Sequence, residues 1–349
     1  MGEKYRKHVY CESKFLEICI SKTKNWKVGD SDFKELEMWI CLESMLCSSD
    51  IILHLDVSEC DFITLTQQPN SDYKRFLQRL SVQQISGKSH IKLSEKFITP
   101  DIIDPKSNDQ LTACYLTCLD AKATKIITDE LGVLILNPYN IKECDFMLFD
   151  NGAAILKNKN LCWSTILKRF PSNCLAMIDN YIFNDMTVGK ENLKDLFDAL
   201  LPEEISLEIP FQIAIFTTLK KNNNRDDVNS KDCFKEIANL IGEIRPNLYF
   251  TLAIFKTNSF HDRVIVTNNV YISCAGGFDL KKSGKAEKTT TVSVIVPYLN
   301  KTTKWVSAAY SNIVNEISGV AQKATEFKDD CLSGFYVDNN KNNRLFVLE

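Results

Sequence analysis

The sequence predicts an α/β protein of two domains, each a mixed or parallel sheet flanked by helices. Three observations point there. The chain has 349 residues, too many for one core when domains run to about 100–150 residues. Short β-rich runs alternate with segments of helical spacing along most of its length. Apolar residues make up 44 % and charged residues 25 %, the balance of a globular protein that can bury a core.

In the first half, His8–Cys11 reads as a strand and Phe15–Ile20 as either strand or helix, because the apolar run is short. Between Asp32 and Leu46, Phe33, Leu36, Trp39, Ile40, Leu42 and Met45 recur at helical spacing behind a capping Asp32. Ile51–Leu55 and Phe62–Leu65 read as strands, Tyr73–Leu80 as a helix and Ser86–His90 as a loop. Asp109–Leu119 has a helical pattern, and Lys125–Thr128 and Val133–Leu136 read as strands around a turn. Asn137-Pro138 and the polar residues 157–160 bracket a change of register. The division is therefore 1–148 and 149–349.

The second half alternates more regularly. Cys174–Ile178 and Phe211–Thr217 read as strands, Lys190–Leu200 and Lys231–Ile244 as helices. Leu248–Phe255, Arg263–Thr267, Val270–Ser273 and Thr289–Val296 follow as strands, and Trp305–Gln322 as a closing helix. Trp39, Trp163 and Trp305 are expected in the core.

Composition also restricts partners and compartment. A net charge of -3 gives no global field for nucleic acid, so such binding needs a local patch. Thirteen cysteines, an odd number with no Cys-x-x-Cys pair, argue against zinc and for a reducing, cytoplasmic setting. No signal peptide, myristoylation signal or membrane span is expected.

The most informative residues are Ser259-Phe260-His261-Asp262-Arg263, continuing to Asn268, and then Ser273-Cys274-Ala275-Gly276-Gly277-Phe278-Asp279. This region resembles the phospholipase D superfamily, whose signature sets a Lys two residues after a His and an Asp five further on. Here those positions hold His261, Arg263 and Asn268. It is more similar still to the C-terminal domain of MIT-domain-containing proteins, in which a His-Asp-Arg strand leads to a glycine-containing turn. Asp179-Asn180-Tyr181-Ile182 is similar to that family's Asp-Pro-Tyr-Ile. The resemblance covers about residues 165–300 and implies a phosphate site: an imidazole, a cation and backbone amides beside Gly276-Gly277. Catalysis in the superfamily pairs two such motifs, and His261 is the one histidine of the second half. A second would have to come from a homodimer. Asn268 also lacks the charge that would steady an imidazolium.

In the first half, Glu12, Asp109 and Asp129-Glu130 occur in an order that resembles PIN-like nucleases, with Glu43, Asp56 and Glu59 as alternatives for a further acid. The resemblance implies carboxylates converging on Mg²⁺ or Mn²⁺ at the carboxyl ends of parallel strands, where the metal activates water against a phosphodiester. The expected function is a metal-dependent, RNase-like nuclease of host defence with a phospholipase D-like sensing or anchoring domain. RNA and DNA are both open as substrate. The alternatives are a non-enzymatic module binding a phosphate ligand or protein partner through the His261 region, and a dimeric, metal-independent phosphodiesterase. Lys281, Lys282, Lys285 and Lys288 form a basic loop that could meet phosphates.

Overall fold

A computed structural model describes residues 5–24, 33–48, 50–68, 71–76, 91–93, 97–139, 141, 154–155, 170–203, 205–218, 230–278, 281–282, 285–286, 291–299, 304–324, 335–337 and 343–346. They belong to two compact units. The first is drawn from Met1–Thr128, Val133–Asp150 and Val296–Ser311, the second from Asp129–Gly132, Asn151–Ile295 and Asn312–Glu349.

The first unit is built on a five-stranded sheet. Its strands are β1 (Lys7–Cys11), β2 (Ile51–Leu55), β3 (Ile91–Leu93), β4 (Cys114–Leu116) and β5 (Leu134–Leu136), in the order β3-β2-β1-β4-β5. Every pairing is parallel. Helices α1 (Ser13–Lys24), α2 (Phe33–Leu46), α3 (Glu59–Gln67), α4 (Asn108–Leu111) and α5 (Ala121–Leu131) connect the strands. This is a doubly wound sheet with its switch in strand order between β1 and β4, where ligand crevices form beyond the strands' carboxyl ends.

The ambiguous Phe15–Ile20 run lies in α1, with Phe15, Leu16, Cys19 and Ile20 buried. Three expectations are corrected. Phe62–Leu65 is helical, because Ser58 accepts a hydrogen bond from the Asp61 N–H and starts α3. The helix expected at Asp109–Leu119 stops at Leu111, since Cys114-Tyr115-Leu116 is fully buried between β1 and β5. Lys125–Thr128 belongs to α5, whose Lys122 and Ala123 amides donate to the Asp120 carboxylate. Gly132 ends that helix at φ 62°, in the left-handed region that suits glycine. Residues 72–76 are helical; the rest of the Tyr73–Leu80 prediction, and Ser86–His90, lie outside the described residues.

The second unit has an eight-stranded mixed sheet. Its strands are β6 (Ala154–Ile155), β7 (Cys174–Ile178), β8 (Phe211–Thr217), β9 (Phe250–Lys256), β10 (Val264–Thr267), β11 (Tyr271–Cys274), β14 (Thr291–Ile295) and β15 (Phe335–Val337), while β12 (Lys281–Lys282) and β13 (Lys285–Ala286) pair separately where a basic loop was expected. The order is β15-β9-β8-β7-β10-β11-β14-β6. β7, β8 and β9 run parallel, and β10 returns antiparallel beside β7. Every residue of β7 and β8 is buried, as expected for central strands covered on both faces. Helices α6 (Met186–Leu200) and α7 (Ser230–Ile244) follow β7 and β8, and α8 (Lys304–Lys323) follows β14. The start of α6 precedes the predicted Lys190 because Asp185 accepts from the Thr187 and Val188 amides.

Among the described residues, no helix is long and apolar enough to cross a membrane. Trp39 is buried as expected. Trp163 and the side chain of Trp305 lie outside what is described.

Candidate functional site

In the second unit, the segments around Asp179–Ile182 and Phe260–Arg263 meet where β7 ends and β10 begins. β10 runs opposite to β7, with Val264 facing Ile178. The residues entering β10 therefore stand beside those leaving β7. The Asn180 side-chain amide donates to the Phe260 carbonyl at 2.6 Å, directly before His261. The buried Asp179 carboxylate accepts from the Tyr181 amide at 2.9 Å and the Phe278 amide at 3.0 Å. One carboxylate thus ties the end of β7 to the turn after Gly276-Gly277. Gly277 itself sits at φ 87°, a conformation that glycine adopts at low cost.

On this frame, His261 is exposed, and its ring forms no hydrogen bond with any described residue. Arg263 donates to the Ala275 carbonyl at 2.8 Å and lays its guanidinium 5.0 Å from the ring centre of Tyr181. One donor and one face are thereby used, while a guanidinium carries five N–H groups. Ser259 and Asp262 are also exposed, and burial together with the Asp262 charge raises the pKa of the Tyr271 hydroxyl. At the same strand ends, Asn180 Oδ1 and Thr217 Oγ1 are buried without a hydrogen-bond partner among the described residues. Such hydrogen-bonding capacity is uncommon in a settled interior. The arrangement offers an anion one fixed cation, one free imidazole and nearby polar groups.

Asn268 does not join them. It lies beyond the far end of β10, seven residues of mostly extended chain from His261, or about 20 Å. Its side chain is fully buried, accepting from the Asn173 amide at 3.2 Å and donating to the Gly132 carbonyl at 3.0 Å. It closes a helix end and a hairpin, and it is too far away to orient the imidazole.

The acids of the first unit behave differently from their expected convergence. Glu12 follows β1 at the switch in strand order, and both of its carboxylate oxygens are engaged. One accepts from the Thr117 hydroxyl, the other from the Cys118 amide at 2.8 Å. Asp56 follows β2 and accepts from the Ser13 amide at 2.6 Å. Of the three alternatives for the further acid it is the one held at the same strand ends as Glu12, since Glu43 is buried in α2 and Glu59 is exposed in α3. Burial and the Glu12 carboxylate push the Cys118 thiol pKa up.

Asp109 precedes β4, where its charge reaches His8 and Tyr10. Asp129 lies in the last turn of α5 and groups with the second unit. Among the described residues, no set of three His, Cys, Asp or Glu side chains could hold a metal ion. Glu12, Asp109 and Asp129 form no such group among the described residues.

Sequence reasoning missed the role of Thr117. The hydroxyl directly after the buried Cys114–Leu116 run was the available signal, hidden when that run was read as helix. It also missed a ladder on the first sheet, where Lys92, His54, Tyr10 and Tyr115 stand in register on adjacent strands. Tyr10 stacks on His54 at 4.3 Å and on Tyr115 at 5.2 Å. No protein-family model matches the chain, and no curated protein matches it.

Proposed function

We propose that the second unit recognises a phosphate-bearing ligand at His261 and Arg263 and does not cleave it. The observation that carries this reading is the exposed, unbonded imidazole of His261 two residues before an arginine fixed by Ala275 and Tyr181. Fixing the cation beforehand lowers the entropy lost on binding, and an arginine is well suited to phosphate oxygens.

Recognition is favoured over hydrolysis by what surrounds the imidazole. A phosphohistidine route needs a second acid or base to protonate the leaving group. Asn268 lies at the opposite end of β10, and no described histidine other than His261 belongs to this unit. The nuclease expectation needs acids gathered on one cation, and the described residues contain no such group.

The test is calorimetric titration of the full chain with inorganic phosphate and a phosphoserine peptide, run beside hydrolysis of a chromogenic phosphodiester. Binding should weaken about tenfold or more in His261→Ala, the scale of a lost charge-assisted contact, with no product formed. Unchanged affinity in His261→Ala would remove the reading. Hydrolysis that survives EDTA and disappears with His261 would replace it with the metal-independent phosphodiesterase.

A further inference from the structure

The site carries one feature that a phosphate alone does not need. Tyr181 is 45 % exposed, although it belongs to the turn that builds the site. Its backbone is fixed, since its amide donates to the buried Asp179 and the Asn180 carbonyl before it accepts from the Thr218 hydroxyl at 2.6 Å. Its ring carries the Arg263 guanidinium at 5.0 Å, and part of the side chain stays open to solvent. A large aromatic group held open by a rigid turn loses little conformational entropy when a flat partner covers it. An arginine beside an aromatic platform is the combination that binds single-stranded nucleic acid, with a phosphate on the cation and a base on the ring.

We infer that the ligand is single-stranded nucleic acid, one phosphate lying at His261 and Arg263 and the adjacent base stacking on Tyr181. This rests on the phosphate-recognition reading and adds the base to it. A phosphorylated peptide side chain would use the cation and leave the ring uncovered. With a net charge of -3 for the whole chain, little long-range attraction supplements the local contacts. Binding is then carried by one or two phosphates, with a shallow salt dependence of about -0.7 in log–log slope per phosphate.

Fluorescence anisotropy of the full chain with a labelled oligothymidylate of about 12 nucleotides, within the range one single-strand site covers, tests this. An abasic oligomer of equal length and inorganic phosphate as competitor complete the set. Tyr181→Leu keeps apolar bulk without a π-face and should weaken the oligothymidylate about fivefold or more. Its affinity for the abasic oligomer should fall less than its affinity for oligothymidylate, because Arg263 keeps its bond to the Ala275 carbonyl, and Tyr181→Phe, which keeps the ring, should restore oligothymidylate binding. His261→Ala should weaken both oligomers together, with thermal melting confirming that each variant folds. If Tyr181→Leu binds oligothymidylate as tightly as the wild type while His261→Ala does not, the base-stacking inference is overturned and phosphate recognition stands. If the wild type binds neither oligomer nor phosphate, both fall.

Discussion

The two ends of β10 arise from one short stretch of sequence and have opposite chemistry. At its entrance, His261 faces water without a hydrogen-bond partner among the described residues. Beyond its exit, Asn268 is buried with its carbonyl and its amide both engaged. Glu12 in the first unit resembles Asn268 in this respect, because Thr117 and Cys118 occupy its two oxygens. A polar group satisfied by its own fold stabilises that fold. One that the fold leaves exposed and unbonded can exchange water for a ligand at little structural cost.

The largest effect expected from this contrast is at Asn268. Asn268→Ala removes the buried bonds to the Asn173 amide and the Gly132 carbonyl. The loss should be about 3 kcal/mol of unfolding free energy, from the cost of buried polar groups left unpaired, read as a lower denaturant midpoint. A loss below about 0.5 kcal/mol, the range of ordinary surface changes, would mean that Asn268 is not a structural residue and would reopen it as part of the site.

A third case lies between these two. His8 Nδ1 and His54 Nε2 are buried without a partner among the described residues, and the two rings lie 5.1 Å apart. Burial, followed by the charges of His8 and Lys92, lowers the His54 pKa from 6.5 to about 4. Burial also lowers that of His8, against the opposing pull of Asp109. The unfolded chain therefore binds a proton between pH 6.5 and about 4 that the folded chain refuses. Stability is complete above pH 6.5 and declines as the pH falls towards 4. After allowance for partial exposure, His54 should account for about 1–2 kcal/mol of that decline. His54→Phe keeps the stack on Tyr10 and removes the proton, so urea midpoints across this range should fall less steeply than in the wild type. Equal slopes would show that His54 does not sense acid.

The sequence was most legible where periodicity and burial agree. The fully buried β7 and β8 and the strand Ile51–Leu55 lie near their predicted bounds, because an apolar run of strand length has few alternatives. It misled where short runs of one pattern fit two structures. Cys114-Tyr115-Leu116 extends a plausible helix from Asp109, and only its pairing with β1 and β5 makes it a strand. Lys125–Thr128 is β-rich by composition, yet the Asp120 cap eleven residues upstream of Leu131 sets the frame in which it is helical. For the proposed site, the resemblance offered His261, Arg263 and Asn268 together as one set. A strand of about 3.3 Å per residue carries that residue away from them, and sequence distance does not distinguish a strand's two ends. The bond from Asn180 to Phe260 spans 80 residues, so only the fold could show that these two segments lie together.

The smallest effect sharpens the comparison most. His261→Ala removes a side chain that is exposed and bonded to nothing described, so folding stability should change by no more than about 0.5 kcal/mol. If stability falls by about 2 kcal/mol, on the scale of a buried group losing its partners, then His261 is held by the fold as Asn268 is. The contrast between the two ends of β10 would then disappear, and any weakened ligand binding in that variant would report damage to the edge. A neutral result read alongside lost phosphate binding separates the two roles, because the same strand would then carry one residue that the fold requires and one that it leaves available.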